Sequence, residues 1–303
     1  MRDAGAHYGY LIALFDVLGF EHKLKKRGLS SMADAYEALI ANINGRNEHF
    51  AKLFGEIGFT ESPYWLSDGD VFIFNIIRGA YASDSILLWA PRTWPEARSK
   101  SREELKELSK SGAKGWVTHP IPCDNFLDTC NDLICHSVEI GLPLRGAISL
   151  GEAVIDEGNR IFLGQPIVDA ARMERGQVFI GASFCTPFMA QIVPMRYRLP
   201  FNAHLKEQQS PVWEGSVLDW PRHWRNTRPQ GARARDAVAA LNSDPKYSAY
   251  YDITLRSIDA SERISTLHES RDDISIRTQY PEFSSADLEV SVRAVRTIPI
   301  SRE

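Results

Sequence analysis

The sequence predicts an α+β fold built around one mixed sheet. Three observations carry this. Short apolar runs of strand length occur at Tyr10–Phe15 (YLIALF) and Val71–Ile77 (VFIFNII). Between them lie stretches with apolar residues at helical spacing, such as MADAYEALIANI and NFLDTCNDLICHSVEI. Past the first strand, the strand signals come largely in pairs, without the regular strand–helix alternation of a doubly wound parallel sheet.

In chain order, the first apolar run stops at Asp16, and Gly19 permits a tight turn. A helical region follows from about Glu21 to Phe54. The strand Val71–Ile77 leads to Arg78-Gly79, which reads as a turn, and Ala80–Ala90 returns as a second strand. Pro91–Thr118 is charged (SKSREELKELSKSGAK) and reads as a solvated loop with a short helix. A helix over Asn125–Ile140 precedes a strand over Leu144–Ile155. Glu157-Gly158-Asn159 is a hairpin turn signal leading to Arg160–Leu163. A helix then runs from Pro166 to Glu174, with proline well placed in its first turn. A strand around Val178–Ile180, a helix from Ser183 and a strand in WEGSVLDWP follow. ARDAVAALN and PKYSAYYDITLRSID read as helices, and the arginine-rich stretch Arg222–Arg235 as a basic surface or a solvated helix start. This order resembles a ferredoxin-like core with additions. A domain over residues 1–210 and a C-terminal extension over 211–303, packed on or beside it, are expected.

The bulk numbers narrow the function. Hydrophobic residues make up 44% of the 303, enough for a sizeable core. The net charge of -4 gives no general attraction to nucleic acid or an anionic membrane. No run of apolar residues approaches the roughly twenty that span a bilayer. Met1–Tyr10 has no basic segment followed by an apolar one, so no signal peptide is expected. Cys123, Cys130, Cys135 and Cys185 lack metal-site spacing and read as buried thiols of a reducing, cytoplasmic compartment.

Three places could carry chemistry. In FDVLGF, Asp16 ends a buried strand and precedes a glycine turn into a helix. Its carboxylate suits a hard divalent cation, and the N–H groups from Val17 to Phe20 suit phosphate oxygens. The alternative reading is that Asp16 merely caps the next helix. In SDSILL, Asp84 sits between apolar strands, where a carboxylate is costly without a cation. Asp70, in SDGDVFIF, is the alternative, or part of a turn with Asp68. Finally, RGAISLGEAVIDEGNRIFLGQPIVDAARMER places Arg145 before a strand and Arg172 among small and apolar residues. Arg172 there either reaches a phosphate or forms a structural ion pair.

Together, FDVLGF, SDSILL, RGAISLGEAV and AARME resemble, in order, motifs of the class III nucleotide cyclases over about residues 8–200. The resemblance implies a ferredoxin-like cyclase core, with a mainly antiparallel sheet and helices on one face. It implies that Asp16 and Asp84 hold two Mg2+ or Mn2+ ions with the backbone of Val17, and that Arg172 steadies charge at the α-phosphate. Phe15, Val17, Gly19, Phe20, Tyr81 and Arg145 would lie along the nucleotide. The site would form between two copies of the chain.

The departures bear on the base. Where purine cyclases place base-reading residues, this chain has Val168 and Ile161, and Ala80 stands where a lysine is usual. With AYASDSILLWAPRTWP and VLDWPRHW, the sequence looks like the bacterial pyrimidine cyclases of the Pycsar anti-phage systems. That implies UTP or CTP as substrate, cyclic UMP or cyclic CMP as product and a separate effector, with neither nucleic acid nor membrane as partner. A purine cyclase, a catalytically silent cyclase-like sensor and a polymerase-like palm are the rival readings.

Overall fold

The computed structural model describes residues 8–56, 64–67, 70–73, 77–91, 122–189, 193–206, 213–242 and 244–268. Of the loop and helix expected over Pro91–Thr118 only Pro91 is described, as the end of a strand, and the last thirty-five residues lie outside these ranges. Two compact units divide at Ala260/Ser261. Everything that follows concerns the first, save that its last helix runs on to His268.

The first strand, β1, runs Tyr8–Val17, and the helices α1 (Phe20–Arg27) and α2 (Leu29–Glu56) follow it. A two-stranded sheet pairs β2 (Tyr64–Ser67) with β3 (Asp70–Ile73), apart from the main sheet. β4 (Arg78–Ala82) and β5 (Ser85–Pro91) form a hairpin. Then come α3 (Pro122–Glu139), β6 (Leu144–Asp156), β7 (Ile161–Gly164), α4 (Gln165–Gly176), β8 (Gly181–Cys185) and α5 (Thr186–Met189). β9 (Arg198–Pro200), β10 (Trp213–Leu218), α6 (Trp220–Thr227), α7 (Ala234–Leu241) and α8 (Ser248–His268) complete the described chain.

The eight-stranded sheet has the order β4-β5-β1-β6-β8-β10-β9, with β7 on the far part of β6. β1 is antiparallel to both β5 and β6, so β4-β5-β1-β6 is the ferredoxin-like arrangement made by two β–α–β crossings. β8 adds parallel to β6, with α4 as the crossover. The strand after residue 210, β10, pairs with β8 and β9 inside this sheet.

Side-chain alternation sorts the two faces. Leu11, Ala13, Phe15 and Val17 join Ile86, Leu88, Leu144 and Ile148 in the main core, with residues of α2, α3, α6 and α7. Ile12 and Leu14 point the other way. There α4 covers Leu14 and Ala147 through Ala170 and Met173, so one helix lies on this second face. Asp16 shares the parity of Ile12 and Leu14 and is opposite Arg145 in the register.

Five sequence expectations need correction. Arg78-Gly79 is strand, not turn; the turn is at Ser83–Asp84, where Ser83 takes φ 56. Gly79 serves packing, since a Cβ there would come 2.8 Å from the Tyr81 hydroxyl. The expected single strand Ala80–Ala90 is therefore two. Val178–Ile180 is not strand, and Ser183 lies inside β8 rather than starting a helix. β8 is small-residue-rich (GASFC) and buried throughout, so it lacks the β-branched signature of a strand. The helical region after Gly19 is broken at Gly28 into two helices. The arginine-rich stretch contains a solvated helix start, one of its two readings, since the exposed Arg233 is the N-cap residue of α7; Arg228 pairs with Glu139 and Asp132, Arg233 with Asp236, and Arg235 with Asp259.

Candidate active site

Three backbone features meet at the end of β1. The β4–β5 turn comes alongside because the Val17 N–H donates to the Asp84 carbonyl at 2.9 Å. The Leu18 N–H donates to the Pro143 carbonyl at 2.9 Å. Gly19 then turns the chain in left-handed geometry (φ 72, ψ 29) into α1. The first N–H groups of a helix have no intrahelical partner. Since Val17 and Leu18 are already bonded, the anion-facing span begins at Gly19 and Phe20, not at Val17 as read from the sequence.

This arrangement sets Asp84 close enough to Asp16 for its charge to bear on the Asp16 carboxyl. Burial pushes the Asp16 pKa up to about 6; Arg145 opposes the rise and the charge of Asp84 adds to it. Arg145 Nε and Nη2 donate to Asp16 Oδ2 at 3.1 and 2.9 Å. Arg145 Nη1 donates to the Tyr250 hydroxyl at 3.0 Å, and the guanidinium lies 5.7 Å from the centre of the Tyr250 ring. Glu174, on α4, makes an ion-pair contact with Arg145 Nε at 2.6 Å. Burial alone would lower the Arg145 pKa, but Glu174, Tyr250 and Asp16 outweigh it and hold the guanidinium charged. Burial raises the pKa of Glu174.

The other expected residues are placed as follows. Phe15 is fully buried on the helical side of the sheet, so its side chain packs the core. Phe20 meets the Tyr36 ring edge-on at 6.3 Å. The Tyr36 hydroxyl is buried without a hydrogen-bond partner among the described residues; burial raises its pKa, and the charges of Asp84 and Asp16 add to that. Tyr81 is half-buried against the main core, its pKa pushed up to about 12 by burial. Asp70 lies on β3 in the separate two-stranded sheet. Arg172 is exposed on α4. Two residues along a helix is about 200° of rotation, so Arg172 faces away from Glu174 and its partner Arg145.

The sequence reading missed Tyr36, Glu174, Tyr247 and Tyr250. Glu174 had a usable signal, an acidic residue beside apolar Met173 in AARME. Tyr250 is 105 positions from Arg145, and nothing local marks it. Tyr247, on the short 3-10 turn Pro245–Tyr247, covers the β1–α1 turn: a Cβ on Gly19 would meet its ring at 3.0 Å.

The residues fit a divalent cation. Asp16 and Glu174 share one guanidinium and Asp84 adds its charge beside Asp16, which leaves excess negative charge, and carboxylate oxygen is the ligand type Mg2+ and Mn2+ prefer. Among the described residues no group of three or more His, Cys, Asp or Glu side chains gathers to hold a metal. Further ligands would come from backbone carbonyls, water or substrate phosphates, as is usual for Mg2+. Among the described residues, no helix is long and apolar enough to cross a membrane.

No protein-family model matches the chain, and no curated relative matches it. Among solved structures it is similar to the catalytic core of a rhodopsin-guanylyl cyclase with converted specificity in complex with ATPαS. The identity is 11% over 72% of this chain and 97% of that one, at a TM-score of 0.42. It is also similar to the adenylyl cyclase CyaB from P. aeruginosa, at 12% identity over 70% of this chain and 95% of that one, with a TM-score of 0.39. Both likenesses are too distant to assign a family.

Proposed function

We propose that the chain is a nucleotide cyclase that converts UTP to cyclic UMP and pyrophosphate, a second messenger for a separate effector in defence against phage. The observation that carries the cyclase reading is the pairing of Asp16 and Asp84 beside the N-terminus of α1. A carboxylate pair that favours a divalent cation thus adjoins N–H groups that favour phosphate.

Asp16 and Asp84, with the Val17 backbone, would hold two divalent cations. When bound, these would lower the pKa of the ribose 3′-hydroxyl and neutralise the leaving pyrophosphate. The N–H groups at Gly19 and Phe20 bind the triphosphate and align the α-phosphate with the 3′-oxygen. In such a transfer, positioning and charge stabilisation supply most of the rate. The 3′-oxygen forms its bond to phosphorus as the bond from the α-phosphorus to the oxygen bridging to the β-phosphate breaks; the 3′-hydroxyl proton passes to water and pyrophosphate leaves.

Arg172 acts across a homodimer, meeting the phosphates bound at the other copy's Asp16. Its exposure on the side of α4 away from Glu174 supports this. So does its position one turn from Val168, an apolar residue that is 42% exposed. Uridine over cytidine rests on the sequence likeness above, and the retained aspartates favour an active enzyme over a silent sensor.

The test is incubation with UTP, CTP, ATP or GTP and Mn2+, with products identified by mass spectrometry. Cyclic UMP from UTP is expected. Cyclic CMP alone would shift the substrate to CTP, a cyclic purine nucleotide would overturn the pyrimidine assignment, and no consumption of any triphosphate would overturn the cyclase reading. Arg172→Ala should lower turnover more than substrate binding.

A further inference from the structure

We propose that Tyr250, far outside the motif-bearing part of the chain, is a positioning residue of the Asp16–Asp84 site. It acts through Arg145 to fix which oxygen of Asp16 faces Asp84. The inference rests on the cation-binding reading of that pair.

Arg145 donates to Asp16 through two of its nitrogens, and both bonds end on one oxygen, Oδ2. The guanidinium plane therefore determines the rotation of the Asp16 carboxylate and leaves Oδ1 as the oxygen without this partner. Two contacts hold that plane. Glu174 Oε1 makes an ion-pair contact with Nε at 2.6 Å from the α4 side, without hydrogen-bond geometry, and Tyr250 accepts from Nη1 while its ring lies beside the guanidinium. Glu174 is a charge and pulls on the same nitrogen that serves Asp16. Tyr250 is neutral and engages the nitrogen that does not touch Asp16. It is thus the contact that braces the guanidinium without competing for the bonds to Asp16.

Tyr250 is itself fixed. Thr254, one turn further along α8, donates to the Tyr250 carbonyl at 2.6 Å and accepts from the Ile180 N–H at 2.7 Å. The start of α8 is so tied to the segment entering β8. Tyr247 packs ring-to-ring with Tyr250 at 6.2 Å and covers Gly19. Asp244 faces His22 of α1 at 3.7 Å. Four side chains between 244 and 254 therefore contact the β1–α1 turn, α1, β6 or the approach to β8. This makes the segment a part of the site rather than an appendage to it. Outer partners of metal ligands set ligand orientation, and their loss weakens metal binding or activity by about tenfold or more.

The experiment measures Mn2+ binding to the full-length protein by electron paramagnetic resonance, with no nucleotide present, alongside the thermal midpoint. Tyr250→Phe keeps the ring and removes the hydroxyl. It should weaken Mn2+ binding about tenfold while leaving the midpoint nearly unchanged. Arg145→Lys keeps the charge and loses the fork, and should weaken binding to a similar degree. In the Arg145→Lys background, Tyr250→Phe should add nothing, because its route to Asp16 is gone. Unchanged binding in Tyr250→Phe, or an undiminished effect in the Arg145→Lys background, would overturn the proposal. If Tyr250→Phe does not fold, Arg145→Lys with Tyr250→Trp, which keeps an aromatic ring, replaces it in the same comparison. Wild-type protein whose Mn2+ binding is unaffected by Asp16→Asn and Asp84→Asn would instead refute the underlying cation site.

Discussion

Replacing Gly19 by alanine tests the turn on which the phosphate-facing helix depends. Two costs add. The first is backbone: at φ 72 and ψ 29 the residue is left-handed, which costs an L-residue about 1–2 kcal/mol. The second is steric, since the new Cβ would lie 3.0 Å from Tyr247 Cε2 and 3.4 Å from Cζ. Tyr247 is only half-buried, so its ring can retreat, and this part should stay near 0.5–1 kcal/mol, below the range for core overpacking. A total of about 2 kcal/mol is expected from urea unfolding. Tyr247→Ala in the same background should recover the steric part and leave the backbone part. The two changes should therefore be non-additive by about 0.5–1 kcal/mol. A loss below about 0.5 kcal/mol, or strict additivity with Tyr247→Ala, would refute both the left-handed turn and the ring that covers it.

Three further outcomes are expected. Arg145→Met leaves the carboxylates of Asp16 and Glu174 without their cation; their side chains are 21% and 9% exposed, so a loss near the lower end of the buried-pair range, about 3 kcal/mol, should appear in urea unfolding. A loss below 1 kcal/mol would show the cluster to be solvent-screened. Asp84→Asn should abolish triphosphate turnover while Asp70→Asn leaves most of it, measured by pyrophosphate release; the reverse would move the second ligand to β3. His204 is fully buried between the Phe179 and Phe201 rings, and burial lowers its pKa from 6.5 to about 4. The unfolded chain then binds the extra proton first, so stability from this site is complete above pH 6.5 and is lost as pH falls toward 4. The total is about 3 kcal/mol. His204→Phe should flatten that part of the stability–pH curve, and an unchanged slope would show that His204 is charged in the fold.

The end of β1 was legible because a continuous apolar run breaks off at a charge, and only a buried strand explains both. The hairpin was misread for an equally physical reason. Arg78-Gly79 is a common turn pair, but here glycine makes room for Tyr81, while the turn falls on Ser83, where nothing in the local pattern demands a positive φ. Asp16 and Asp84 could be proposed as partners from the sequence. Their proximity follows from register, which pairs Asp16 with Ser85 on one side and Arg145 on the other. Tyr250 and Glu174 were out of reach for the opposite reason. Their role depends on how α8 and α4 approach one guanidinium, and no periodicity encodes that meeting. The small residues of β8 hid a buried strand because they satisfy its tight packing without resembling a typical strand.

The bond from the Val17 N–H to the Asp84 carbonyl gives the site a built-in reporter. Val17 is almost wholly buried, and its amide is closed off by the turn that carries the second aspartate. Deuterium can reach that amide only when the turn lifts from the strand end. The exchange rate of this one proton therefore measures how often the two carboxylates separate. A cation that bridges them must slow it, so the backbone of Val17 records occupancy of the pair without any nucleotide, product or turnover.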